Sequence, residues 1–190
     1  MRAFIAIDLP KETKAALAGI VGQLKKTGAD VKWVNPDNIH LTLKFLGEME
    51  EKKIKEAVTA VKEVAENKNA FILRVSSLGA FPNINSPRVI WLGIDSGDAE
   101  TKVIAQELEE KIEKIGVPKE ERPFSSHITI GRLRSPKNRE NLVQELKRLG
   151  EEIQGDEKEF YADKITLFKS TLTPKGPIYE PVMEASLKKI

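Results

Sequence analysis

The chain contains two histidines, and each begins the same four-residue pattern of histidine, aliphatic residue, threonine and aliphatic residue. The first pattern is H-L-T-L from His40, and the second is H-I-T-I from His127, 87 residues further along the chain. Nine of the 190 residues are threonine, so a threonine two places after both histidines would arise by chance in about 0.2% of such sequences. The pairing therefore indicates two related sites of chemistry rather than coincidence.

The spacing within each pattern has a direct meaning in a β-strand, where side chains alternate between two faces. His40 and Thr42 would share one face, as would His127 and Thr129, while the aliphatic residues between them pack against helices. Two such strands would surround a small anion with two imidazoles and two hydroxyls. A phosphate ester fits, because the hydroxyls donate to its non-bridging oxygens. Histidine titrates near neutral pH, so one imidazole can act as base and the other as acid.

The histidines have two other interpretations. A histidine beside a strand is often a half-buried structural group, but the matched motifs favour a shared function. Two imidazoles could also bind a metal, yet the chain has no cysteine and no third histidine. That leaves too few ligands unless a distant carboxylate takes part. No glycine-rich phosphate loop is present either. We therefore expect a site without metal or cofactor.

The composition limits the class of protein. The chain is 40% hydrophobic and 32% charged, enough apolar material for a core in one domain or two small lobes. The net charge of +2 allows an RNA site only as a local patch. No apolar run approaches the roughly 18 residues that span a bilayer, and Asp8 and Pro10 favour a first strand over a signal peptide. We expect a cytoplasmic protein with no membrane contact.

Strand-like and helical patterns alternate along the chain. Strands are predicted at Ala3–Ile7, Val31–Val34, Ile39–Leu46, Phe71–Leu78, Arg88–Ile94, Ser126–Gly131, Phe160–Lys169 and Ile178–Leu187. Helices with apolar stripes are predicted at Lys11–Lys26, Glu50–Glu66, Asp98–Ile115 and Asn138–Leu149. A loop rich in proline, asparagine and serine is expected between the fourth and fifth strands.

The order helix, motif strand, helix, strand occurs twice, which indicates an internal two-fold repeat of diverged sequence. We therefore predict a single bilobal domain over residues 1–190, of the α+β class. It would consist of two pseudo-symmetric lobes, each a mainly antiparallel sheet with helices on its outer face. The active-site cleft would lie between the lobes.

The motif segments resemble a known family. H-L-T-L-K-F-L-G (40–47) and F-S-S-H-I-T-I-G-R (124–132) resemble the paired motifs of the two-histidine phosphoesterase superfamily. Within it the chain looks most like the bacterial and archaeal RNA 2′,3′-cyclic phosphodiesterases, also known as 2′-5′ RNA ligases. Ser126 is a departure, because many relatives carry proline there. Three further stretches agree, M-R-A-F-I-A-I-D-L-P at the start, P-R-V-I-W-L-G-I (87–94) and L-T-P-K-G-P-I-Y (172–179).

The resemblance implies a fold, an activity and roles for the histidines. Members are bilobal, with the two motifs facing each other across a cleft. The implied reaction is metal-free hydrolysis of a terminal RNA 2′,3′-cyclic phosphate to a 2′-phosphate. His40 would be the proton donor and His127 the proton acceptor, an assignment that the residues alone leave open. We expect a monomer that acts on RNA ends, with tRNA halves among the candidate substrates.

Further residues could contact the substrate. By alternation Lys44 shares the His40 face and could bind backbone phosphate, whereas its neighbour Phe45 is assigned to the core. Arg132 could neutralise the reacting phosphate, but strict alternation aims it away from His127, so a bend near Gly131 is required. Three aromatic residues could stack on bases or simply pack in the core, namely Trp33, Phe81 and Phe124.

Two other functions use the same residues. A 2′-5′ RNA ligase would replace water with a 5′-hydroxyl as the nucleophile, and the sequence does not separate this reaction from hydrolysis. Water at high concentration favours hydrolysis as the main reaction. A non-catalytic module that binds RNA ends needs no acid–base pair, so the retention of both histidines and both threonines favours an enzyme.

Overall fold

The computed structural model describes residues 1–153 and 158–189. The strands in these ranges are β1 (Arg2–Asp8), β2 (Val31–Trp33), β3 (His40–Glu48), β4 (Phe71–Asn83), β5 (Ser86–Ile94), β6 (His127–Leu133), β7 (Glu159–Ala162), β8 (Lys164–Thr173) and β9 (Gly176–Ser186). The helices are α1 (Lys11–Lys25), α2 (Glu51–Ala65), α3 (Asp98–Lys114) and α4 (Arg139–Glu152). In this described part of the chain, every helix is too short or too polar to cross a membrane.

The strands form two antiparallel sheets. The first sheet has the strand order β3-β1-β8-β9, and the second has the order β2-β6-β5-β4-β7. The strand that carries the first motif, β3, is an edge strand, whereas β6, with the second motif, lies between β2 and β5. Helix α2 contacts β8 and β9, and helix α4 contacts β4. The prediction of an α+β fold with two lobes of mainly antiparallel strands is confirmed.

The two sheets follow the same plan. Strands β6, β5, β4 and β7 stand in the order that β3, β1, β8 and β9 have in the first sheet. In each half of the chain, a strand and the motif strand beside it are connected through a helix. Helix α1 lies between β1 and β3, and helix α3 lies between β5 and β6. The chain then crosses to the other sheet after the next helix. Helix α2 is followed by β4 of the second sheet, and helix α4 is followed by β7 and then by β8 of the first sheet. We propose on this basis that the chain is a single domain with an internal two-fold repeat.

One hydrophobic core joins both sheets to the helices. Helix α4 buries Leu142, Leu146 and Leu149, whose spacing of three to four residues places them on one face. The aliphatic residues of the motifs belong to the same core, as their alternation predicts. None of the four is more than 4% exposed, namely Leu41, Leu43, Ile128 and Ile130. The core therefore holds the backs of both motif strands.

Two predicted boundaries are wrong. The loop expected before Arg88 is mostly strand, because β4 and β5 form a tight hairpin that Asn83 closes by accepting from the N–H groups of Asn85 and Ser86, both at 3.0 Å. The strand predicted at Phe160–Lys169 is two strands. Strand β7 pairs with β4 of the second sheet, and β8 pairs with β1 of the first. The apolar alternation shifts by one residue at this change of sheet, from Phe160 and Ala162 to Ile165 and Leu167, and the prediction of a single strand overlooked that shift.

Candidate active site

Each motif histidine is the first residue of its strand, and a carbonyl oxygen two residues earlier holds its ring. Nδ1 of His40 lies 2.7 Å from the carbonyl oxygen of Asn38. Nδ1 of His127 likewise lies 2.7 Å from the carbonyl oxygen of Ser125. A carbonyl oxygen only accepts hydrogen bonds, so Nδ1 is the protonated nitrogen of each neutral ring. Nε2 is therefore the unprotonated nitrogen of both neutral rings.

The two supporting carbonyl groups come from different local structures. Asn38 is the last residue of a short 3-10 helix, and the side chain of Asn35 caps that helix by accepting a backbone N–H at 3.1 Å. The Asn38 side chain donates in turn to the carbonyl oxygen of Pro177 at 2.8 Å. Ser125 lies in the irregular segment before β6. The two rings have the same hydrogen bond although the preceding segments differ. The bond therefore depends on the position of each histidine as the first residue of its strand.

A β-bulge follows the threonine of the first motif. Thr42 pairs with Ala6 and Lys44 pairs with Ile5, which leaves Leu43 as the extra residue of β3. An extra residue reverses the alternation of side chains beyond it. Residues after the bulge therefore face the opposite way from the strict alternation used in the prediction.

The second motif has the same bulge. Thr129 pairs with Trp91 and Gly131 pairs with Ile90, which leaves Ile130 as the extra residue of β6. In both strands the extra residue is the fourth residue of the motif. Each motif thus ends at a bulge, and the alternation of side chains is reversed beyond it.

The prediction that Lys44 shares the His40 face is wrong. The Lys44 side chain is 1% exposed, and its Nζ lies 2.8 Å from a carboxylate oxygen of Glu109 in α3. Nζ also donates to the carbonyl oxygen of Pro118 at 2.9 Å. The bulge turns this lysine away from His40 and into the protein. Lys44 therefore joins β3 to α3 and to the segment after that helix, and it is not available to a substrate.

The bulges bring two other side chains to the motif face. Phe45 pairs with Phe4 and is 58% exposed, so its assignment to the core is wrong. Arg132 holds the equivalent place in β6, where it pairs with Val89 and is exposed. The reversal that Arg132 requires is thus supplied by the bulge beside Gly131. Its contact with phosphate stays a prediction.

Aromatic rings surround His40. The ring centroid of Phe4 lies 4.8 Å from that of His40, and Tyr179 meets the imidazole edge-on at 5.4 Å and 86°. This burial lowers the pKa of His40 below its ordinary value of 6.5. The hydrogen bond to Asn38 and the nearby carboxylate of Asp8 act in the opposite direction. The neutral imidazole is therefore the favoured form of His40 in the free protein.

A recess of about 170 Å³ opens beside His40, away from Thr42. Lys14 reaches into it, with Nζ 2.8 Å from a carboxylate oxygen of Asp8 and 2.8 Å from the carbonyl oxygen of Asp37. Three carboxylates and one ammonium group line this recess, so its net negative charge disfavours an anion there. The lining residues are Asp8, Lys14, Asp37, Asn38, His40, Phe168, Tyr179, Pro181 and Glu184.

His127 also lies among aromatic side chains. Phe81 meets its imidazole edge-on at 5.1 Å and 90°, and the ring of Trp91 lies at 6.5 Å. Trp33 and Phe124 instead pack against the main hydrophobic core. Of the three aromatics suggested for base stacking, only Phe81 contacts a motif histidine in the described residues. Stacking itself stays a prediction.

The two motif strands lie close together. Cα atoms of β3 and β6 come within 8 Å, although the two strands belong to different sheets. Burial raises the pKa of Tyr179, and the positive charges of Arg2 and Arg132 oppose that rise. Tyr179 belongs to the first sheet and Arg132 to the second, so a charge of one sheet acts on a group of the other. Groups from both lobes are therefore close to one another at the motif strands, the place predicted for the cleft.

This arrangement offers an acid, a base and neutral and charged donors for an anion. The two Nε2 atoms are able to transfer protons, and the threonine hydroxyls and the guanidinium are able to donate hydrogen bonds to an anion. Within residues 1–153 and 158–189, no three or more His, Cys, Asp or Glu side chains are grouped to hold a metal ion. The residues on the motif faces are His40, Thr42, His127, Thr129 and Arg132.

The sequence interpretation missed two residues of this cleft. Phe45 was assigned to the wrong face, and a periodic pattern contains no signal for a bulge. Tyr179 ends the stretch L-T-P-K-G-P-I-Y, which carried the family resemblance without a suggested role. Only the pairing of β8 with β9 and β1 places its ring against His40.

The fold and the paired histidine motifs define a two-lobed phosphoesterase. The chain is similar to the crystal structure of TT0787 of Thermus thermophilus, with a TM-score of 0.80 and 27% identity over 98% of each chain. It is also similar to Escherichia coli LigT complexed with 3′-AMP, with a TM-score of 0.75 and 26% identity. That comparison covers 98% of this chain and 97% of the other.

The family model described as LigT like Phosphoesterase matches residues 7–91 and again residues 92–179. The chain therefore belongs to the LigT-like phosphoesterase family, which confirms the resemblance seen in the motifs. A Methanocaldococcus jannaschii protein named RNA 2′,3′-cyclic phosphodiesterase is 38% identical over 184 residues, 97% of this chain and 99% of that protein.

Proposed function

We propose that the chain hydrolyses RNA 2′,3′-cyclic phosphate ends to 2′-phosphate ends, with acid–base catalysis by His40 and His127 and without a metal ion. The substrate class is supported by the name of the Methanocaldococcus jannaschii relative and by the 3′-AMP bound to Escherichia coli LigT. The observation that carries the mechanism is the matched pair of bonds from Nδ1 to a carbonyl oxygen, both 2.7 Å long. They leave Nε2 of each ring for proton transfer.

The proposed reaction is a displacement at phosphorus. His127 Nε2 takes a proton from a water molecule as the water oxygen bonds to phosphorus. The bond from phosphorus to O3′ breaks, and His40 Nε2, protonated for this step, gives its proton to O3′. A 2′-phosphate and a 3′-hydroxyl remain, and the two imidazoles have exchanged protonation states. The two histidines have the same support at Nδ1, so the assignment of acid and base rests on the family resemblance.

The remaining groups act on the charge of the phosphate. Thr42 and Thr129 lie on the faces of the histidines and donate to the non-bridging oxygens. Arg132 is always charged and planar, so it neutralises charge that builds up on those oxygens. Hydroxyls, imidazoles and a guanidinium supply the donors that this displacement needs, so the proposed mechanism includes no metal-dependent step.

The proposed function is tested with an RNA oligonucleotide that ends in a 2′,3′-cyclic phosphate, incubated with and without EDTA. Chromatography resolves the 2′-phosphate, the 3′-phosphate and any ligated product. We expect the 2′-phosphate as the main product, at the same rate with EDTA. A chelated sample that is inactive and is revived by one divalent ion would contradict metal independence.

The same experiment separates hydrolysis from ligation. A ligase would join the cyclic end to an added RNA with a 5′-hydroxyl, and the joined product would dominate even in dilute RNA. A module that only binds RNA ends would give neither product. As a control, the variant with both histidines replaced by alanine should give no product above background. tRNA halves as substrate, a cytoplasmic location and a monomeric state stay predictions.

A further inference from the structure

Arg2 is an exposed basic residue on the cleft face of the first sheet. It begins β1, and the alternation along that strand places it on the same face as Phe4 and Ala6. Its cross-strand partner Glu48 pairs instead with the amino group of Met1 at 3.4 Å. Among the described residues, no carboxylate lies within ion-pair distance of Arg2. The guanidinium is thus available to an anion from solution.

The strand register places Arg2 beside Tyr179. Ala3 pairs with Lys169, so Arg2 stands next to Ser170 of β8, and Ser170 pairs with Tyr179 of β9. These three residues form a row across the sheet. The Tyr179 ring packs edge-on against Phe4 with the centroids 4.8 Å apart. Arg2 and the tyrosine are therefore held at the same end of the cleft face by neighbouring strands.

Tyr179 links this row to the reaction centre. Its ring centroid lies 5.4 Å from that of His40, on the side of the imidazole where Phe4 packs. Arg2 is six residues from Asp8, the residue that pairs with His40. Arg2 stands two residues beyond Phe4 on the same face, further along β1 from Asp8 than the ring that packs on His40.

The positive charge of Arg2 acts to lower the pKa of Tyr179. Burial raises the pKa of the phenol, and Arg2 is the main group that opposes the rise, followed by Arg132. The phenol therefore keeps its proton at neutral pH and remains a hydrogen-bond donor. A guanidinium and a phenol in one row, with no carboxylate paired to the guanidinium in the described residues, suit an anion with several acceptor oxygens.

We propose that Arg2 and the Tyr179 hydroxyl form a second phosphate-binding subsite, which holds the phosphodiester between the terminal cyclic nucleotide and the nucleotide before it. The proposal rests on the proposed function and adds to it, since it makes an oligonucleotide a better substrate than a mononucleotide. A free 2′,3′-cyclic nucleotide has only the reacting phosphate and leaves this subsite empty.

The test compares two substrates, 2′,3′-cyclic AMP and a short oligoribonucleotide that ends in the same cyclic nucleotide. For Arg2→Ala we expect the ratio of kcat/KM, oligonucleotide over mononucleotide, to fall about tenfold, as for one lost hydrogen bond to a charged group. Arg2→Lys should recover part of the ratio. The slope of log kcat/KM against log salt for the oligonucleotide should become shallower by about 0.7 in Arg2→Ala.

Lys169→Ala is the matched control. Lys169 lies beside Arg2 in the same sheet but on the opposite face, where it pairs with Glu180 at 3.3 Å. The Lys169→Ala variant loses the same charge at a similar distance. Its ratio of kcat/KM, oligonucleotide over mononucleotide, should therefore stay at the wild-type value. An equal loss of the ratio in Lys169→Ala would show that long-range charge, and not a subsite, explains the effect. An Arg2→Ala enzyme with the wild-type ratio would overturn the proposal too.

A binding measurement separates this proposal from the proposed function. The probe is a labelled oligoribonucleotide that ends in a 2′-phosphate, titrated with each variant and followed by fluorescence anisotropy. We expect Arg2→Ala to bind about tenfold more weakly than wild type and Lys169→Ala to bind equally well. If the wild type cleaves neither substrate but still shows this difference, the proposed function fails and the subsite stands. Equal binding by Arg2→Ala and wild type would overturn the subsite.

Discussion

The hydroxyl oxygen of Thr42 lies 2.9 Å from Nε2 of His40. Because Nδ1 of that ring donates to a carbonyl oxygen, Nε2 is the acceptor and the threonine hydroxyl donates to it. Among the hydrogen bonds of the described residues, Thr129 and His127 have no equivalent contact. The two motifs therefore differ in the free protein, since only the first has its hydroxyl already engaged with its imidazole.

Replacement of either motif threonine by valine keeps the shape and removes a donor. If both hydroxyls donate to the phosphoryl oxygens in the transition state, we expect each of Thr42→Val and Thr129→Val to lower kcat by roughly 10- to 1,000-fold. Steady-state kinetics on a cyclic-ended RNA measures this. Thr171→Val, at an exposed position of β8, is the control and should retain wild-type kcat. Full activity of Thr129→Val would show that its hydroxyl has no part in catalysis.

The leaving group separates the roles of the two histidines. A general acid matters most for a poor leaving group and little for one that leaves as a stable anion. A nitrophenyl phosphodiester should therefore restore activity to His40→Ala much more than to His127→Ala. On the cyclic-ended RNA both variants should be severely impaired. Rescue of His127→Ala and not of His40→Ala would show that the roles are reversed.

The pKa of His40 is open to direct measurement, because the chain has only one other histidine. In His127→Ala a single imidazole signal remains in the proton NMR spectrum, and we expect it to titrate below 6.5, since burial disfavours the charged ring. The residual activity of this variant should lack the acidic limb of a bell-shaped profile and fall as the pH rises through the same midpoint. A midpoint at or above 6.5 would contradict the buried environment.

Lys44 should contribute to stability and not to substrate binding. Lys44→Ala leaves the carboxylate of Glu109, 17% exposed, without its partner, so we expect the free energy of unfolding to fall by about 3–5 kcal/mol. Denaturant unfolding measures this loss, and KM of the folded fraction should be unchanged. Lys55→Ala is the control, because Lys55 forms an exposed pair with Glu51 and should cost far less. A raised KM in Lys44→Ala would instead support the prediction that Lys44 binds substrate phosphate.

Much of the site follows from the sequence because it depends on local alternation. His40 and Thr42 are two residues apart before any irregularity, so their shared face is predictable from the strand period. Phe45 comes after the bulge, and the extra residue at Leu43 reverses its face. A bulge depends on how a strand meets its neighbour, and that pairing is absent from a local pattern. Arg132 shows the same effect in the second motif.

The change of sheet at Asp163 has a similar cause. Residues on both sides of it are apolar at alternate positions, so the stretch looks like one strand apart from a one-residue shift of phase between Ala162 and Ile165. The chain instead completes β7 against β4 and then begins β8 against β1. Tyr179 reaches His40 only through this second pairing. Contacts between residues far apart in the chain, which no local pattern contains, thus decide the parts of the site that the sequence did not predict.

The exchange of strands between the two halves has a consequence for folding. Ala3 pairs with Lys169, so β8, an inner strand of the first sheet, is synthesised long after the strand β1 with which it pairs. A nascent chain that has reached α3 can pair β1 with β3 and β4 with β5, but its first sheet still lacks β8 and β9. Such distant pairings slow folding and leave strand edges open while the chain is incomplete. Tyr179, whose ring packs against His40, thus joins the site only after both motif strands have been made.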